Sequence, residues 1–193
     1  GFYYFEDIPA GTHTLQVTAA GYDPLSINIT MQDTFFTFKD VNLISNVPPT
    51  VVSTEPVQND SLYPGVDNVV INFSRQMNKT SVEANLTVSP TAAFTTTWSN
   101  NDKTLTINTT NFNFNSLYDI TIRGNAEGKY GHLFDGDGNG VGGDPYTLTI
   151  KTKVPDVIPP FVTFVYPSNN ATNVEYKPVI NVSFNELLKT STI

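Results

Sequence analysis

Cysteine is absent from this 193-residue chain. A disulfide framework, a thiolate metal site and a cysteine nucleophile are therefore excluded. Charge is scarce too, at 15% of residues against about 25% in ordinary globular chains. Basic residues are the scarcer sign: Lys and Arg number 10 against 18 Asp and Glu, a formal net charge of −8. Without clustered cations no surface can track a phosphate backbone, so nucleic acid is excluded as a partner. No apolar run approaches the ~18 residues of a membrane-spanning helix. No window offers Ala, Leu, Glu and Lys at a 3.6-residue period, so long helices are not expected.

What is present is a hydrophobic share of 39%, with 12% aromatics, enough for a packed core. Asn and Thr occupy the polar positions, as on the outward faces of strands. Apolar and polar residues alternate in six runs. Leu15, Val17 and Ala19 lead; Leu25, Ile27, Ile29 and Met31 follow, then Val69, Ile71 and Phe73. Leu105 with Ile107, Tyr118 with Ile120 and Ile122, and Tyr146 with Leu148 and Ile150 complete the series. Each reads as a strand with one buried face. Turn clusters such as Gly21-Tyr22-Asp23-Pro24 and Ser99-Asn100-Asn101-Asp102 separate them. Short strands at this spacing predict an all-β fold of antiparallel sandwiches rather than βαβ units.

Two proline-marked joints, Asn46-Val47-Pro48-Pro49 and Val154-Pro155-Asp156-Val157-Ile158-Pro159-Pro160, divide the chain. Such joints are extended and semi-rigid. The sequence repeats itself after them. Pro48-Pro49-Thr50-Val51 corresponds to Pro159-Pro160-Phe161-Val162, Pro56 to Pro167, and Asn59 to Asn170. Val69, Ile71 and Phe73 correspond to Ile180, Val182 and Phe184, always 111 residues on and without a gap. A period near ~100 residues suits one sandwich per repeat. The expected domains are a partial sandwich over 1–46, a complete one over 47–153 and the start of another over 154–193. On this reading the chain is a segment of a longer polypeptide. The other reading is a fibre subunit whose ends are completed by strands from neighbours.

Residues 48–153 resemble the bacterial Ig-like domain found in S-layer and other surface proteins. The resemblance rests on Pro48-Pro49-Thr50-Val51, on Val69-Val70-Ile71-Asn72-Phe73-Ser74 followed by Met77, and on Tyr118-Asp119-Ile120-Thr121-Ile122. The Asp/Gly turn Asp135–Gly140 and the closing Tyr146–Thr152 also belong to it. Residues 159–193 look like the start of a second copy, with Asn185-Glu186-Leu187-Leu188 replacing Ser74-Arg75-Gln76-Met77. Residues 1–44 resemble the second half of a carboxypeptidase regulatory-like domain, a transthyretin-like sandwich. Ile8-Pro9-Ala10-Gly11-Thr12-His13-Thr14-Leu15 and Ala19-Ala20-Gly21-Tyr22 carry that likeness. Together the resemblances imply tandem Ig-like sandwiches in an extracellular array without catalytic activity.

The one constellation suited to chemistry is Asp135-Gly136-Asp137-Gly138-Asn139-Gly140-Val141-Gly142-Gly143-Asp144. Ca²⁺ takes about six to eight oxygens, and alternating Asp/Asn and Gly can wrap one. Asp135, Asp137 and Asn139 fall at positions 1, 3 and 5 of an EF-hand-type loop, with Gly140 at position 6. Val141 would offer its carbonyl. Tyr146 stands where the closing bidentate Glu belongs, so Asp144 is the candidate that closes the site. The competing reading is an ion-free hairpin turn. Three carboxylates this close repel one another without a cation, which favours a structural Ca²⁺.

Other residues give less. His13 and His132 lie in different expected domains and build no two-His site; His13 is expected to be exposed. No Ser has a base and an acid placed for a triad. Glu6 and Asp7 are adjacent in a turn and point apart, unlike a glycosidase pair. Trp98 with Phe94 reads as core, with a sugar-stacking platform as the alternative. Glycosylation sequons occur at Asn28, Asn59, Asn72, Asn78, Asn85, Asn108, Asn170 and Asn181. Asn28, Asn72, Asn108 and Asn181 fall on outward phases of their strands. The expected function is a structural module of a microbial cell-surface protein (stalk, S-layer, adhesin or filament) whose partners are neighbouring copies or other surface proteins. The alternative is an accessory region of a secreted hydrolase that binds polysaccharide.

Overall fold

The computed structural model describes residues 3–33 and 37–188. Alternation becomes strand almost wherever the sequence has it. The first two strands, β1 (Gly11–Val17) and β2 (Leu25–Met31), pair antiparallel as a ribbon, with Leu15 facing Ile27. Then come β3 (Val51–Glu55), β4 (Ser61–Leu62) and β5 (Val69–Phe73). A six-residue helix, α1 (Lys79–Ala84), precedes β6 (Leu86–Ser89), β7 (Thr96–Ser99) and β8 (Thr104–Ile107). The series continues with β9 (Leu117–Ile122), β10 (Tyr146–Thr152), β11 (Val162–Tyr166) and β12 (Asn181–Phe184).

The centre of the chain is a sandwich of two four-stranded sheets, ordered β3-β5-β8-β7 and β4-β10-β9-β6. All but one of its pairings are antiparallel. The exception is β4, which runs parallel to β10 at Ser61–Lys151 and Leu62–Thr152, a departure from the purely antiparallel expectation. Val69, Ile71, Leu105 and Ile107 from one sheet, and Ile120, Ile122, Leu148 and Ile150 from the other, are fully buried between them. The period-2 pattern thus places one face of each strand in a common core. At ~25 cal/mol per Å² of apolar area, this burial is the main stabilising term. Apart from Pro49 and Pro56, the buried apolar residues among those described all lie between Leu62 and Ile150.

Asn78 caps α1 by accepting from the Ser81 N–H at 3.3 Å. Val82 is the helix's buried residue. One turn and a half is too short for a 3.6-residue period to be visible.

Two compact units emerge, Gly1–Val154 and Pro155–Ile193. Within the first, the ribbon β1–β2 is tied to the sandwich. The Asn46 N–H donates to the Gly21 carbonyl at 3.1 Å and the Asp23 N–H to that of Ile44 at 2.8 Å. The Arg75 guanidinium donates to Ser45 Oγ at 2.9 Å. His132 Nε2 meets Asp23 Oδ2 at 2.9 Å.

In the second unit β11 and β12 pair antiparallel, and the pair reproduces β3–β5 residue for residue. Val51 faces Phe73 and Val162 faces Phe184, each followed by a bulge two residues wide on the first strand. The Ser74 N–H donates to Thr50 and, 111 residues on, the Asn185 N–H to Phe161. Asn59 and Asn170 share the left-handed backbone at φ 66° and 64°. The substitution of Asn185 for Ser74 preserves a bond. Ser74 Oγ accepts from the Thr50 N–H at 2.9 Å, and Asn185 Oδ1 accepts from the Phe161 N–H at 2.6 Å.

Candidate metal centre

The Asp/Gly loop hangs from the core by Phe134, which is fully buried and meets the Phe73 ring edge-on at 6.2 Å. The Phe134 N–H donates to the Ala126 carbonyl at 2.8 Å, and the next residue, Asp135, donates its N–H to Pro49 at 2.9 Å. That sequence of bonds carries Asp135 inward, leaving it 1% exposed. On the returning limb the Gly143 N–H donates to Phe134 at 2.8 Å and the Gly136 N–H to Asp144 at 3.0 Å. Asp135 and Asp144 thus stand side by side at the base of the loop.

Hydrogen bonds shape the tip. Asp135 Oδ1 accepts from the N–H groups of Gly138 at 2.8 Å and Asn139 at 3.2 Å, and Oδ2 from that of Gly140 at 2.8 Å. Asp137 accepts from the Asn139 N–H and Nδ2, both at 3.0 Å. Asn139 Oδ1 accepts from the Val141 N–H at 2.7 Å. The carboxylates of Asp135, Asp137 and Asp144 each bring an oxygen within 4.8 Å of the others. The three acids singled out in the sequence therefore converge, with Asn139 bonded between two of them. Val141 enters this network through its N–H.

The donor set fits a hard cation. It is oxygen-only, carries three formal negative charges, and each carboxylate keeps at least one lone-pair site beyond the N–H bonds it accepts, on Asp135 at Oδ2. Burial works to raise the Asp135 pKa. The N–H groups of Gly140 and Gly138, the Asp137 side chain and the Asn139 N–H outweigh it and hold the carboxyl below the ordinary aspartate value. A depressed folded value contributes stability above the unfolded-chain value and loses it as pH falls through the folded one. In chelator, the melting temperature of the sandwich is therefore expected to hold above about pH 4 and fall below it. Asp135→Asn should flatten that acid limb in a melting series against pH; an unchanged limb would show that other groups set it.

Three glycines matter here, and only two lie in the motif. A Cβ on Gly136 would sit 2.3 Å from the Pro145 carbonyl carbon, and one on Gly142 2.4 Å from the Leu133 carbonyl oxygen. The third is Gly124, just past β9, where a Cβ would fall 1.8 Å from the Gly143 oxygen. Nothing local in the sequence marks Gly124, because its partner is nineteen residues away.

The remaining candidates separate. Trp98 stacks on Phe73 at 6.0 Å, donates to Glu83 at 2.9 Å and packs with Phe94 against the core, in agreement with the core reading. His13 is half-buried rather than exposed, with Nε2 2.8 Å from the Pro9 carbonyl. His132 turns to Asp23, not to the loop acids. Among the sequons, Asn28, Asn59, Asn78, Asn108, Asn170 and Asn181 are exposed. Asn72 and Asn85 are half-buried, their amides donating to Ser53 Oγ at 3.0 Å and the Ser81 carbonyl at 2.9 Å.

No helix among the described residues is long and apolar enough to cross a membrane. No curated protein matches the chain. Among solved structures it is similar to an L,D-transpeptidase from Mycobacterium smegmatis, at 14% identity and a TM-score of 0.36, over 55% of this chain and 40% of that one. The chain thus spans less than half the length of that structure. The two-sheet sandwich is Ig-like, and over residues 45–137, from just before the first joint into the Asp/Gly loop, it matches the family model of the bacterial Ig-like domain.

Proposed function

We propose that this chain is a non-catalytic structural module of a bacterial cell-surface protein, a spacer of tandem Ig-like sandwiches braced by calcium and assembled with its neighbours through exposed strands. The observation that carries the ion is the convergence of Asp135, Asp137 and Asp144 within 4.8 Å, one of them buried against the core. Asp135, Asp137, Asn139, Asp144 and the Val141 carbonyl would hold Ca²⁺. The ion would supply structural cross-linking, not Lewis-acid chemistry. Its effect is mechanical: it would fix a glycine-rich loop that otherwise carries large conformational entropy and brace the approach to β10. The residue-for-residue likeness of β11–β12 to β3–β5 supports the tandem arrangement. The ribbon of residues 3–33, tied at Gly21 and Asp23, is read as part of a transthyretin-like sandwich.

Calorimetry with Ca²⁺ tests the ion directly. At a hundredfold excess over Kd, binding adds about 2.7 kcal/mol, or about 10 °C in melting temperature, and chelator removes it. Identical melting with Ca²⁺ and with chelator, together with no binding heat, rejects the ion and leaves the spacer reading to be judged alone. Glycans, in this reading, stand on the six exposed sequons and not on Asn72 or Asn85, whose amides are engaged. Peptide mapping of native material checks it, and occupancy at Asn72 would contradict it.

A further inference from the structure

Beads joined by a single chain swing against each other unless something besides the chain holds them. At the first proline joint two elements of the sandwich reach across. On the ribbon side, the turn at 21–23 runs beside the residues that enter the joint. Tyr22 bridges Ser45, the Asn46 N–H donates to Gly21 and the Asp23 N–H to Ile44. Each of these paired segments is gripped from beyond Val47-Pro48. Arg75, just past β5, donates from Nη2 to Ser45 Oγ at 2.9 Å and from Nη1 to the Ser45 carbonyl at 3.4 Å. His132, between β9 and β10, places Nε2 2.9 Å from Asp23 Oδ2. Both grips are themselves braced. The Lys129 N–H donates to the Gln76 carbonyl at 2.9 Å and Met77 bridges Gly128, which joins the segment after Arg75 to the segment before His132. The Gly128 N–H donates to the His132 carbonyl at 2.9 Å, and the Asp135 N–H ends on Pro49, the last residue of the joint.

We infer that Arg75 and His132 form a two-point clasp that makes the first joint a rigid coupling, so that the ribbon and the sandwich move as one body. One tie would leave a swivel. Ties on two neighbouring segments, added to the chain itself, oppose rotation, and the planar guanidinium fixes direction as well as distance. The imidazole holds Asp23 either as the cation or as the neutral Nε2–H tautomer. The chain divides into its two units at the second joint and not at the first. There the repeat sets Asp156 at the place of Ser45 and Glu186 at the place of Arg75, two acids that cannot reproduce the guanidinium tie. The inference goes beyond the spacer reading and stands without calcium, because neither tie uses the acids of the Asp/Gly loop.

The test is a distance measurement between two spin labels on the full chain, made in chelator. The chain has no cysteine of its own, so Gln16→Cys on β1 and Thr97→Cys on β7, both exposed positions, carry the only labels. A single narrow distance distribution is expected. Arg75→Ala combined with His132→Ala should broaden it by about twofold or more, and each change alone should broaden it less. Thermal melting checks that the sandwich of each variant is folded. Should the double variant fail to fold, Asp23→Ala carries the test from the ribbon side and must broaden the distribution. A wild-type distribution that is already broad, or folded variants as narrow as the wild type, would overturn the inference.

Discussion

Gly124→Ala is expected to lower the melting temperature of the sandwich by about 10 °C or more, although the residue lies outside the Asp/Gly motif. Its Cβ would be built 1.8 Å from the Gly143 oxygen, 2.1 Å from the Gly143 carbon and 2.6 Å from the Asp144 nitrogen. All three are backbone atoms, so no side chain can swing aside. The limb carrying Asp144 would have to move, and overpacking that displaces backbone costs about 3 kcal/mol or more. Because Asp144 closes the carboxylate cluster, the same variant should also weaken the proposed Ca²⁺ binding.

Gly140→Ala is the matched control. Its φ is +91°, but a Cβ there meets nothing within 4 Å. The cost is then conformational alone, about 1 kcal/mol. Thermal unfolding of the two variants in chelator ranks close approach above left-handed backbone. Equal losses would mean that the loop relaxes freely away from Gly124.

Legibility in the sequence follows the range of the interaction. Val69, Ile71 and Phe73 announce β5 because a strand's buried face is written every second residue. The Asp/Gly loop is legible for the same reason: Asp135, Asp137 and Asn139 reach one another within five residues. By contrast, β7 carries one apolar residue, Trp98, in its four positions, too few for alternation to show. That Asp135 is the buried acid depends on Phe134 reaching Phe73 across 61 positions and on Pro49 accepting its N–H. The pairing of His132 with Asp23 spans 109 positions. Gly124 has no local pattern at all. The half-burial of His13 likewise comes from the Pro9 carbonyl, since the turn before it says nothing about where the ring goes.

The 111-residue repeat yields the second large effect, because it offers one side chain in two environments. Phe73 is 4% exposed, stacked on Trp98 and edge-on to Phe134. Its counterpart Phe184 is 40% exposed. Phe73→Ala removes a ring from a closed core and leaves a cavity, a loss of about 3 to 5 kcal/mol. It also withdraws the ring against which Phe134 holds the Asp/Gly loop, so the proposed Ca²⁺ binding should weaken along with stability. Phe184→Ala, in dilute solution, strips a ring that water already reaches and should cost within about 1 kcal/mol. The two positions share strand, partner and register, so the difference between the variants isolates what the second sheet contributes by covering the face. Denaturant unfolding of both measures it. A comparable loss at Phe184 would mean that its face is already covered in solution. In that case the loss should fade on dilution if the cover is a second copy and persist if it is not.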